Sequence, residues 1–126
     1  MQSQRKEQTN VIYFFCRFDE PDKCKAISAL KSLIIQALKL IKYIPDDLYQ
    51  LYQDDFTAED SYVLHGEIAE RALGLLLKRI EYISIVVDGL DECHESILLD
   101  SLLRIRDQKT YGITKWFFAS RNEGLV

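Results

Sequence analysis

Glycine, proline, cysteine and histidine are all scarce in this chain, at five, two, three and two of 126 residues. The glycines are Gly66, Gly74, Gly89, Gly112 and Gly124, and none precedes a lysine, so no G-x-x-x-x-G-K-[ST] phosphate cradle occurs. Cys16, Cys24 and Cys93 are odd in number and lack C-x-x-C spacing, which argues against both a disulfide framework and a zinc site. Cys93 and His94 are adjacent, and neighbours in sequence point apart on a strand and rarely converge on a helix. With His65 they therefore make neither a metal set nor a Cys/His nucleophile pair, and His65 reads as a surface or boundary histidine. No apolar run approaches the ~20 residues of a membrane span, and the first ten residues are polar, so a cleaved secretion signal is absent. The expectation is a cytoplasmic protein with no membrane partner. Positive charge is also thin, with 16 scattered basic residues against 20 acidic ones, a net charge of −4 and a pI near 5.2. A nucleic-acid partner is disfavoured, because such modules neutralise phosphates with clustered Lys and Arg.

What is present suits one domain: 48% hydrophobic and 29% charged residues, in a chain long enough for a core. Residues 1–10 are a polar leader without hydrophobic period, and residues 11–126 form the domain. Val11 to Cys16 is β-branched and aromatic, a strand, and Asp19 or Asp22 in the acidic turn after it can cap a helix. Ile27, Leu30, Leu33, Ile34, Ala37, Leu38 and Ile41 then recur at spacings of three and four, one face of a helix of about four or five turns. Leu48, Tyr49, Leu51 and Tyr52 mark a short docking helix. A longer one is predicted from about Asp60 to Arg79, burying Leu64, Ile68, Ala72, Leu75 and Leu76. Ile83 to Val87 is a strand, Ile97, Leu98, Leu102 and Ile105 follow a helical period, and Thr114 to Ser120 is a third strand. Strands alternating with helices predict an α/β fold, a three-layer sandwich with a mostly parallel sheet. Right-handed crossovers bring the strand ends near Arg17, Asp88 and Arg121 to one edge.

The segment Ile83-Ser84-Ile85-Val86-Val87-Asp88-Gly89-Leu90-Asp91-Glu92-Cys93 carries the chemistry. Its apolar run suits a strand buried on both faces of a parallel sheet, and such sheets bind ligands beyond the carboxyl ends of their strands. Asp88, at that end, can hold a hydrated Mg²⁺ through oxygen ligands. Gly89, lacking a Cβ, lets a phosphate or water approach the backbone. Asp91 and Glu92 follow within one turn, where a carboxylate can orient or deprotonate an attacking water. A strand ending in a solvated acidic turn is the plainer reading, and the buried run before Asp88 weighs against it.

These residues in this order resemble the NACHT branch of the STAND class of P-loop NTPases, above all its nephrocystin-type members. Val11 to Phe18 with Asp19-Glu20-Pro21-Asp22 is similar to that family's second strand and turn. Val86 to Cys93 resembles its extended Walker B motif, and Phe117-Phe118-Ala119-Ser120-Arg121 its sensor strand. The resemblance implies that Asp88 is the Mg²⁺ aspartate, that Asp91 or Glu92 supplies the water-activating carboxylate, and that Arg121 reads the terminal phosphate. It sets Gly89 and Ser120 beside the nucleotide, ATP or GTP. With no Walker A loop in the sequence, it implies an incomplete P-loop NTPase fold that holds strands 2, 3 and 4 of a 5-1-4-3-2 sheet. The sensor strand then becomes an unpaired edge, open to self-association or to other protein domains.

Two other functions compete with this signalling NTPase. One is a catalytically silent α/β interaction module, or degenerate remnant, that binds protein through its exposed edge. The other is an unrelated metal-dependent phosphate enzyme using Asp88, Asp91 and Glu92; it is disfavoured because a D-x-D nucleophile pair and a Ser/His/Asp arrangement are both missing.

Overall fold

A computed structural model describes residues 10–17, 25–56, 66–90, 97–108 and 113–119. They form β1 (Asn10–Phe15), α1 (Ala26–Ile41), α2 (Asp46–Phe56), α3 (Gly66–Leu77), β2 (Tyr82–Asp88), α4 (Ile97–Gln108) and β3 (Ile113–Ala119). The strands make one parallel sheet in the order β1-β2-β3, so the expected α/β class holds. In register, Ile85 stands between Ile12 and Trp116, and Val87 between Phe14 and Phe118.

Alternation along the strands separates two faces. Ile12, Phe14, Cys16, Ile83, Ile85 and Val87 are buried. Their neighbours Val11, Tyr13 and Phe15 are exposed, and Ser84, Val86 and Asp88 are half-buried. A strand buried on both faces was expected for β2; the structure buries one, because the described helices gather over that side. Successive right-handed crossovers that step the same way across a sheet leave their helices on a common face. Of the expected three-layer sandwich the described residues thus supply the sheet and one helical layer.

That layer follows its sequence pattern. Helix α1 lies on β1 and α3, and it buries Ala29, Leu30, Leu33, Ile34 and Ala37, with Ile27, Leu38 and Ile41 partly covered. It starts with Lys25 at the N-cap position, which makes no side-chain cap hydrogen bond; Asp19 and Asp22 lie outside the described residues. Lys42, with φ +70°, ends it and donates its N–H to the Leu38 carbonyl. Helix α2 packs on α3 through buried Leu48 and Leu51; Tyr52 is partly buried, but Tyr49 is 57% exposed. Helix α3 buries Ala69, Ala72, Leu73, Leu76 and Leu77, a stripe displaced from the predicted one, with Ile68 and Leu75 at its margin. Leu64 lies outside the described residues. Helix α4 buries Leu98, Ser101, Leu102 and Ile105 and leaves Ile97 exposed. Arg104 of α4 holds Glu70 of α3 with two hydrogen bonds, Nε to Oε2 at 2.9 Å and Nη2 to Oε1 at 3.0 Å. The hydrogen bonds and charge of the carboxylate raise the pKa of that guanidinium.

Candidate functional site

The carboxyl ends of the strands converge as the topology requires. The Cys16 N–H donates to the Asp88 carbonyl at 2.8 Å, and the Gly89 N–H donates to the Ala119 carbonyl at 2.9 Å. These bonds carry the ladder one step past each strand and tie the ends of β1, β2 and β3 at Asp88, the last residue of the central strand. Arg17 follows Cys16 and is exposed at the same edge. Asp88 is half-buried and shares its side of the sheet with Ser84 and Val86. Leu90, after the turn, packs partly against the core.

Gly89 has φ +80°, a conformation that a side chain resists. A Cβ built there would stand 2.6 Å from the Cys16 carbonyl oxygen, inside van der Waals contact. Close approach of its own backbone to Cys16 therefore explains the glycine, a reason that the sequence pattern did not reveal. Asp91, Glu92, Ser120 and Arg121, together with Cys93, His94 and His65, lie outside the described residues. Among those described, no group of three or more His, Cys, Asp or Glu side chains is placed to hold a metal. Asp88 alone suits Mg²⁺ in the sense that this ion keeps several waters and takes one or two carboxylates besides its substrate phosphates.

Two shallow cavities lie elsewhere among the described residues. One of about 260 Å³ opens at the amino ends of the strands between Asn10, Tyr43 and Arg79, the last paired to Asp47 at 2.8 Å. Another of about 520 Å³ runs beside α1 between Phe14, Lys31, Ile35 and Lys39. Neither includes Asp88.

A second feature escaped the sequence reading. The Gln36 side chain of α1 reaches the outer edge of β1, accepts the Tyr13 N–H at 3.0 Å and donates to the Tyr13 carbonyl at 2.7 Å. Its amide stands in for a neighbouring strand at that residue and is steadied by Ser32 Oγ at 3.1 Å. Only the position of Gln36, between Ile34 and Ala37 on the buried side of α1, hinted at this.

Fold and edge together define a class: an α/β domain with a parallel sheet and an acidic residue at the end of its central strand. A family model for the nephrocystin 3 N-terminal region matches residues 1–121, and the chain belongs to that family. No curated protein and no solved structure matches it. No described helix is long and apolar enough to cross a membrane.

Proposed function

We propose that this chain is part of a NACHT-type, STAND-class nucleotide-binding domain whose state of binding to Mg²⁺ and ATP or GTP governs assembly with other proteins in the cytoplasm. The observation that supports this best is the placement of Asp88, closing the central strand where the ends of all three meet. In this reading Asp88 holds Mg²⁺ through water, Gly89 and Ser120 lie along the nucleotide, Asp91 or Glu92 orients the attacking water, and Arg121 contacts the terminal phosphate. The metal, when bound, neutralises phosphate charge as the bond breaks. A guanidinium suits the role given to Arg121 because its planar fork matches phosphate oxygens. The cradle that would hold the other phosphates is not encoded in these residues, so hydrolysis by them alone is not part of the proposal.

The test is a calorimetric titration of Mg²⁺-ATP and Mg²⁺-GTP into the chain and its Asp88→Asn variant. Saturable binding lost in Asp88→Asn supports the reading. Absence of binding up to millimolar nucleotide replaces it with the silent interaction module, which the exposed apolar residues Val11, Tyr13, Phe15, Ile113 and Phe117 on one face of the sheet favour.

A further inference from the structure

We infer that the outer edge of β1, with the basic groove beside it, is a docking site for an acidic, extended segment of a partner protein, which adds to the sheet as an antiparallel strand in place of Gln36. A cavity of about 520 Å³ runs between α1 and this edge, lined by Lys31, Ser32, Ile35, Gln36 and Lys39 of α1 together with Phe14. Lys31 and Lys39 are exposed, and among the described residues neither is paired with a carboxylate. Helix α1 carries no acid, and the other charges along it and β1 are positive too, Lys25 and Lys42 at its two ends and Arg17 just past β1. Asp19, Glu20 and Asp22, the acids nearest in sequence, lie outside the described residues. In the 5-1-4-3-2 order that the sequence resemblance implies, the further strands join beyond β3, at the opposite side of the sheet from this edge.

Gln36 defines the backbone of the occupant. It accepts the Tyr13 N–H and donates to the Tyr13 carbonyl, the two bonds that a residue of an antiparallel strand exchanges with the residue opposite it. An incoming strand replaces them one for one. It also gains the N–H and C=O groups of Val11 and Phe15, which alternation turns to the same side as those of Tyr13, since the Cys16 N–H is turned the other way, to Asp88. Charge and spacing define the side chains. Lys31 and Lys39 lie eight positions apart by subtraction of their numbers. Such a step is ~12 Å along a helix, and four residues of strand cover ~13 Å. With α1 running back along β1 and Gln36 level with Tyr13, the two acids fall opposite Ile12 and Cys16, on the helical face. The residue between them, opposite Phe14, meets Ile35, which is 53% exposed. The segment therefore reads acid-x-apolar-x-acid. A second copy of β1 has no acid and would bring the same lysines with it, so like charges disfavour that occupant.

This inference does not rest on the nucleotide reading, and its test contains neither Mg²⁺ nor nucleotide. The whole chain is titrated into a fluorescently labelled synthetic peptide, with two glutamates flanking a central leucine at that spacing and threonine elsewhere, and binding is read by anisotropy. Saturable binding is expected, and a peptide with lysine in place of both glutamates should bind at least ~tenfold more weakly. Lys31→Glu and Lys39→Glu should each weaken binding ~tenfold with an unchanged far-ultraviolet circular dichroism spectrum. Gln36→Ala, which removes the competitor for Tyr13, should tighten it ~threefold. Methylating the peptide nitrogen that comes opposite Tyr13 should weaken it ~tenfold, which a purely electrostatic contact would not do. Absence of binding, equal binding of the lysine peptide, or indifference to the lysine variants or to the methyl group would each overturn the assignment. So would binding of a DNA duplex or of anionic vesicles through these lysines without binding of the peptide. If Gln36→Ala does not fold, the methylated peptide decides whether a strand is added.

Discussion

Gly89 and Cys16 touch backbone to backbone across the ends of β2 and β1, at a distance that admits no side chain. The Cβ of an alanine at residue 89 would sit 2.6 Å from the Cys16 carbonyl oxygen, and φ is +80°. The obstructing atom is main chain and cannot swing aside. Gly89→Ala is therefore expected to cost about 1–3 kcal/mol, combining the left-handed penalty with displacement of β1. Thermal melting should fall by roughly 4 °C for each kcal/mol. A variant that melts with the wild type would show that β1 and β2 part freely beyond Cys16.

At the edge of β1, Gln36 both accepts from and donates to Tyr13. Gln36→Ala removes both bonds and leaves an N–H and a carbonyl on an edge strand, the arrangement that recruits other strands. The expected loss is about 1 kcal/mol in urea unfolding, accompanied by faster aggregation in light scattering. Gln36→Glu separates the two bonds. Its carboxylate still accepts from the Tyr13 N–H but repels the carbonyl, so it should fall between wild type and alanine.

Much of this architecture was legible in the sequence, and the reason differs from element to element. The period of Leu30, Leu33, Ile34 and Ala37 named the buried face of α1, because a long helix repeats its signal. The aliphatic run ending at Asp88 located β2 to within one residue at its start. What local sequence did not carry was which faces meet. Ile83 to Val87 reads as buried on both sides, yet Ser84 and Val86 face the side that no described helix covers, and the difference is set by where the described crossover helices lie. Gly89 also lies close to Cys16, 73 residues earlier in the chain by subtraction of their numbers, a contact that no local pattern records. Gln36 bonds Tyr13 across 23 residues, which no helical period records. Of the expected site, Asp88 and Gly89 lie within the described residues at the converging strand ends.

The central strand should be the most sensitive to truncation. Ile85 is fully buried at the middle of the sheet, flanked by Ile12 and Trp116 and covered by helices. Ile85→Ala should cost about 2–5 kcal/mol, close to the whole stability of a small domain. Val86→Ala, one residue away on the uncovered face, should cost much less. Equal losses from the two would mean that the second face is also covered in solution. The comparison is therefore best made by urea unfolding at ~1 µM, where mass action disfavours association.

Thr114 offers the opposite kind of test. Among the described residues its buried side-chain oxygen has no hydrogen-bond partner, on the face of β3 that turns toward the helices beside Ile83. A buried hydroxyl left unpaired forfeits its bonds to water and gains nothing in exchange, a penalty of about 1–3 kcal/mol. Valine has the same branched shape, keeps the β-strand preference and lacks the oxygen. Thr114→Val should therefore raise stability by about 1 kcal/mol in urea unfolding, while Thr114→Ser, which retains the hydroxyl and loses a methyl, should lower it. If Thr114→Val instead destabilised the chain, the hydroxyl would have to be bonded in solution, either to a water or to a group brought to β3 by a partner.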